Sequence, residues 1–244
     1  MRTALSRGLL AAALLAAAAG ATADDKKTGF VTRMYKNADG STSPYVVFVP
    51  HDYDGTKEYP VILFLHGSGE TKGGKQQPVE VGIGKAIKAR EKTFPFITVI
   101  PQAEVKGWQA DGPNAKRAVG MLDEVMKAYK TDPKRVYLTG LSMGGAGTWS
   151  NAAAHPDRWA AIVPICGPAD PSTAAAIKDI PCWGFVGDKD NERIVSGMNN
   201  MIEALKKAGA SPKYTVYPGV GHNSWDKAYG TKELWTWLLE QKKK

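Results

Sequence analysis

One stretch constrains this chain more than any other: Val136-Tyr137-Leu138-Thr139-Gly140-Leu141-Ser142-Met143-Gly144-Gly145. A β-rich run ends at Thr139, Gly-x-Ser-x-Gly follows, and small Ala- and Gly-rich sequence continues to His155. That order predicts a strand, a sharp turn and a helix. A turn this tight strains the serine backbone. A Cβ at residue 140 or 144 would clash where strand and helix approach each other. Ser142 would then stand at a helix start, where free backbone N–H groups favour a developing negative charge. It is a candidate nucleophile, and the rest of the chain must supply its partners.

The chain around this turn reads as alternating strands and helices. Phe30 to Tyr35 and Tyr45 to Val49 predict an antiparallel hairpin at a sheet edge, with a turn signal at Asn37-Ala38-Asp39-Gly40. Val61 to Leu65 is continuously apolar, as a strand buried on both faces must be. Further strands are predicted over Phe96–Ile100, Arg135–Thr139, Ala160–Ile165, Cys182–Val186 and Lys213–Tyr217. Helices are predicted over Ile83–Glu91, from Asn114 to about Tyr129, around Thr173–Lys178, over Val195–Ala208 and over Lys232–Glu240. The fold class is α/β, a mostly parallel central sheet with helices on both faces. The connection from Ile165 to Cys182 is too short for a separate lid domain.

A serine hydroxyl needs a base within hydrogen-bond reach, and the base needs an orienting acid. In an open parallel sheet these groups sit at the carboxyl ends of strands. Asp188 and Asp190 both follow the strand ending at Val186. Asp190 is favoured because it lies further along the loop, where a side chain can turn back towards a histidine. Asp188 is the alternative, with a turn-capping role otherwise. Among His51, His66, His155 and His222, only His222 follows the last strand in a glycine-rich loop. His66 heads the loop after a central strand and is expected to brace it; His155 meets a helix end. Ser142, Asp190 and His222 then run in the chain order nucleophile, acid, base. For an oxyanion, Met143 supplies one backbone N–H and Ser68 the second, with Gly67 as the alternative. Glu70, Trp108 and Trp225 fall near enough to be candidates for the substrate pocket.

The first residues are not expected to belong to the fold. Arg2 and Arg7 precede an Ala/Leu run to Ala19, and Ala21-Thr22-Ala23 offers an A-x-A cleavage site. Residues 1–23 therefore read as a secretory signal peptide, and residues 24–244 as a single domain exported to the periplasm or the medium. No other run is apolar enough to anchor the chain in a membrane. The formal charge of +8 over 244 residues suits solubility, and no nucleic-acid motif accompanies it. Cys166 closes one predicted parallel strand and Cys182 opens the next, which places them at opposite sheet edges. Two buried free thiols are expected rather than a disulfide.

From about Tyr45 onward the sequence resembles the α/β-hydrolase superfamily. Leu65-His66-Gly67-Ser68-Gly69-Glu70, Gly-Leu-Ser-Met-Gly-Gly, Gly187-Asp188-Lys189-Asp190 and Gly221-His222 carry the resemblance. The set is similar to small secreted esterases grouped with dienelactone hydrolases, phospholipase/carboxylesterases and peptidase-like proteins of prolyl-oligopeptidase type. The resemblance implies a serine hydrolase without metal or organic cofactor. It implies cleavage of carboxylic esters, of short acyl or aromatic acids, as small molecules or on polysaccharide, with a peptidase or amidase as the alternative. The cysteine nucleophile of dienelactone hydrolase itself is absent. Where many similar sequences continue the acid with Pro-Val-Val-Pro, this chain has Asn191-Glu192-Arg193-Ile194-Val195. Contacts made by that loop therefore do not carry over.

Overall fold

Burial on both faces sets the character of the central strands. In the computed structural model, which describes residues 27–243, strand β3 (Tyr59–Leu65) is buried at all seven positions. Strand β4 (Ile97–Pro101) is buried along its whole length. Each fully buried Val, Ile, Leu or Phe in these strands is worth about 1.5–3 kcal/mol relative to exposure. By contrast β1 (Gly29–Lys36) alternates between buried and exposed residues, as an edge strand does. The proposed signal peptide lies outside the described residues.

Eight strands form one sheet in the order β1-β2-β4-β3-β5-β6-β7-β8. Here β2 is Thr42–Val49, β5 Thr131–Leu141, β6 Ala161–Ile165, β7 Trp183–Gly187 and β8 Lys213–Tyr217. The β1–β2 hairpin is antiparallel, and β2 pairs antiparallel with β4. From β4 through β3 to β8 every pairing is parallel. The helices are α1 (Ile83–Lys88), α2 (Pro113–Ala128), α3 (Met143–Ala154), α4 (Ala174–Ile177), α5 (Glu192–Lys207), α6 (Trp225–Gly230) and α7 (Lys232–Glu240). The chain steps one way from β3 to β4, then reverses over β3 to reach β5. With right-handed crossovers, that reversal puts α1 on one face and α2 to α5 on the other. Helix α6 packs on α1 and joins its face. There Trp235 of α7 meets Phe94 edge-on at 5.0 Å and stacks on Tyr229 at 6.0 Å between ring centres.

Several boundaries differ from the sequence reading. Strand β5 starts at Thr131 because the chain pairs Tyr59 with Thr131, shifts register, and resumes at Val61 with Val136. Helix α5 begins three residues before the expected Val195, since the Asn191 side chain caps it by accepting from the Arg193 N–H. Helix α1 stops at Lys88, and a separate short turn holds Glu91–Thr93. Helix α6 was not expected at all. Cys166 and Cys182 are both buried free thiols. Cys182 bridges Ile162 at the start of β6, whereas Cys166 follows its last residue, so the length of the strand separates them.

Candidate active site

Ser142 occupies the turn between β5 and α3 with φ at 53°, in the left-handed region that non-glycine residues rarely enter. The surrounding backbone determines this conformation. A Cβ on residue 144 would overlap the Leu65 carbonyl oxygen and come within 2.7 Å of the His66 oxygen. One on residue 140 would lie 2.7 Å from the same Leu65 oxygen and overlap the oxygen of Gly144. Glycine at both positions lets β3, β5 and α3 meet backbone to backbone. The Ser142 N–H donates to the Ile165 oxygen at 2.9 Å, which ties the turn to β6.

Three loops at the carboxyl ends of β5, β7 and β8 bring Ser142, Asp190 and His222 together. Nε2 of His222 lies 2.8 Å from the Ser142 Oγ. Its Nδ1 lies 2.8 Å from one Asp190 carboxylate oxygen and 3.0 Å from the other. A carboxylate only accepts, so Nδ1 carries the proton and Nε2 is left to accept from the serine hydroxyl. The Asp190 side chain is 2% exposed and also accepts from the Asn191 N–H at 2.7 Å. Asp188 instead accepts from the Gly219 N–H at 2.7 Å, across to the loop after β8. Its capping role is therefore between loops rather than within its own turn. Trp225 stands edge-on to the His222 ring, 5.5 Å between centres. It packs against the imidazole.

The loop after β3 is organised from inside by His66. Its Nε2 accepts from the Ala103 N–H at 2.9 Å, so Nδ1 carries the proton and donates to the Gly67 oxygen at 2.6 Å. Burial depresses this imidazole to about 4, and it is neutral. A Cβ on Gly67 would lie 3.6 Å from the Ser142 Cβ, so the loop abuts the turn. Met143 opens α3 and lines the cleft, and Ser68 is exposed at the start of a short turn, Ser68–Glu70.

None of the three expected pocket residues lines the cleft beside Ser142: Trp225 packs on His222, and the other two are buried. Trp108 is 1% exposed, donates its indole N–H to the His66 oxygen at 2.9 Å, and fills the space beside Gly147 of α3. It is a structural wedge and does not line the cleft. Glu70 is also buried. Burial raises its carboxyl above the usual range against the opposing pull of the Gly67 N–H, and its Oε2 lies 4.0 Å from Nδ1 of His66. Both residues follow strands, as expected, but their loops fold inward.

The cleft beside Ser142 has a volume of 660 Å³. Ser142, Met143, Cys166 and His222 form part of its wall, with Lys189 and Arg193. The sequence reading missed the last two and Cys166. The strand-end rule could have found Cys166, which directly follows β6 and adopts φ of 40°. Its Sγ lies within 4.8 Å of a carboxylate oxygen of Asp190 and a ring nitrogen of His222, and burial pushes its thiol up to about 12, so it is a protonated neighbour. Lys189 and Arg193 carried no signal, because exposed cations are ordinary.

Comparison with known proteins follows the same lines. The chain is 26% identical over 191 residues to the bifunctional acetylxylan esterase/xylanase XynS20E of Neocallimastix patriciarum, covering 75% of this chain and 27% of that protein. It is 26% identical over 204 residues to carboxylesterase SOBER1 of Arabidopsis thaliana, covering 71% of this chain and 88% of that one. A crystal structure of a thermostable esterase superposes with a TM-score of 0.78 at 29% identity, over 87% of this chain and 63% of its own. The chain thus spans less than two thirds of the length of several proteins it matches, as little as 27% of the Neocallimastix protein. Residues 43–228 match the dienelactone hydrolase family, and the chain belongs to that family of α/β-hydrolases.

Proposed function

We propose that this protein is a serine hydrolase that cleaves carboxylic esters through an acyl-enzyme on Ser142. The observation that carries the reading is the unbroken relay from the Ser142 Oγ to His222 Nε2, and from Nδ1 to Asp190, each link at 2.8 Å. In this reading His222 takes the Ser142 proton as Oγ attacks the ester carbonyl. Asp190 holds the imidazole tautomer and stabilises its charged form. The N–H groups of Met143 and Ser68 receive the oxyanion, with the Gly67 N–H as the alternative to that of Ser68. His222 then protonates the leaving alkoxide and activates water for deacylation.

Short acyl or aromatic-acid esters, free or on polysaccharide, suit a cleft that no lid covers among the described residues, and Trp225 packs against the His222 ring. The Arg2–Ala23 pattern supports export, which amino-terminal sequencing of protein recovered from periplasm or medium tests directly. The central test is turnover of 4-nitrophenyl acetate beside 4-nitroacetanilide. Ester hydrolysis is expected, with Ser142→Ala lowering kcat at least about 10⁴-fold. Ester turnover that survives the substitution would displace Ser142 as nucleophile. Comparable anilide cleavage would put the peptidase or amidase reading first.

A further inference from the structure

Among the described residues two that are not glycine have positive φ, Ser142 at 53° and Cys166 at 40°. The first is the candidate nucleophile. The second directly follows β6, and its N–H donates to the Phe185 oxygen of β7 at 2.8 Å. Glycine would take that conformation without strain, and residue 167 beside it is a glycine. A side chain is thus held at 166 against the preference of its own backbone, which is a reason to look for a task.

Three parts of the site converge on this side chain. Its Sγ lies within 4.8 Å of a carboxylate oxygen of Asp190 and a ring nitrogen of His222. Burial pushes the thiol up, and the Ser142 N–H and the Ser224 hydroxyl lie close enough to pull the other way. Ser224 is 0% exposed, and its Oγ makes no hydrogen bond of good geometry. It is also tied to the base, because its N–H donates to the His222 oxygen at 2.8 Å. A thiol suits this place, being apolar enough to exclude water and still a weak acceptor for a hydroxyl.

We propose that Cys166 is a positioning residue for the Asp190–His222 pair: its sulfur anchors the His222 loop through Ser224 and keeps water from the hydrogen bond between acid and base. The consequence for turnover rests on the ester-hydrolase reading; the hold on His222 does not. A dry neighbourhood strengthens the attraction between the Asp190 carboxylate and a charged His222 ring. The other charged groups that line the cleft, Lys189 and Arg193, are the same in every variant below.

Proton NMR of the His222 ring in the full-length protein tests this, because the titration is read without turnover. The resonance is identified by its loss in His222→Ala. In Cys166→Ala its titration midpoint should fall by about half a pH unit or more, as water weakens the hold of Asp190 on the charged ring. With 4-nitrophenyl acetate, kcat should fall about tenfold while KM stays within about twofold. Cys166→Ser keeps an acceptor for Ser224 and should recover most of both losses. Ser224→Ala should move both in the same direction as Cys166→Ala, and the double variant should fall short of additivity. Cys182→Ala, which truncates the other buried thiol, should lower stability and leave the His222 titration and kcat where they were. An unmoved His222 titration in Cys166→Ala, the same losses in Cys182→Ala, or full additivity with Ser224→Ala would overturn the proposal. Should Cys166→Ala fail to fold, Ser224→Ala decides, and an unmoved titration there overturns it equally. A shifted titration in a protein whose ester turnover survives Ser142→Ala would remove the serine-hydrolase reading and leave the role of Cys166 standing.

Discussion

Residue 144 has no room for a side chain, because a Cβ would overlap the Leu65 carbonyl oxygen and neither backbone can retreat without opening the sheet. Gly144→Ala is expected to cost more than about 3 kcal/mol, read as a lower denaturant midpoint or loss of soluble protein. Gly69→Ala, in the same region but with open space around it, should be close to neutral. His66 gives a different kind of single-residue prediction. Its folded-state value is about 4 against an ordinary 6.5, so the unfolded chain binds the extra proton between those limits. Stability conferred by the neutral ring is therefore complete above pH 6.5 and is lost as pH falls towards 4, by about 3 kcal/mol in all. Glu70, the ionisable group 4.0 Å away, works in the opposite sense. Its raised carboxyl favours the folded state below its ordinary value and loses that contribution as pH rises. His66→Asn keeps a donor for the Gly67 oxygen but has no proton to gain. Its melting temperature should depend less on pH between 6.5 and 4 than that of the wild type, as scanning calorimetry would show.

At the scale of elements, the start of α5 couples stability to the site. The Asn191 side chain caps the helix directly after Asp190 and before Arg193. Asn191→Ala should remove about 1 kcal/mol of stability in urea titration. Because the same segment positions Asp190, ester turnover should fall further than that loss of folded protein accounts for. How well the elements could be read from sequence followed burial. The run Val61–Leu65 declared a two-sided strand because no solvent face interrupts it, and Gly140-Leu141-Ser142-Met143-Gly144 declared its turn because only glycine tolerates those contacts. The depth of Trp108 and Glu70 was not readable. Trp108 is held by the His66 carbonyl oxygen and the Glu70 carbonyl oxygen by the Gln102 amide, and each of these bonds crosses between the two loops, which neither loop's own sequence reveals. Helix α6 was hidden for a similar reason: six residues are too few for a period, and contacts with α1 and α7 hold it.

Over the whole molecule, the two thiols report on opening. Cys166 and Cys182 are 0% and 4% exposed, and burial pushes both above the ordinary thiol range. A thiol-reactive dye should label neither in the native protein within minutes and both in denaturant, and the native labelling rate should track stability across the variants above. Native labelling of Cys166 alone, without loss of structure, would mean that the cleft opens locally. The order of the sheet has a consequence for how the molecule comes into being. Strand β5 lies beside the earlier β3, and β6, β7 and β8 each lie beside the one made before, whereas β4 must slot between β2 and β3. The second half can therefore grow outward like a fan as the chain emerges, each new strand finding a finished neighbour. Ser142 is laid down at the hinge of that fan, and His222 arrives with its outermost blade. For most of its own assembly, then, the nucleus of the molecule exists without the group that would wake it.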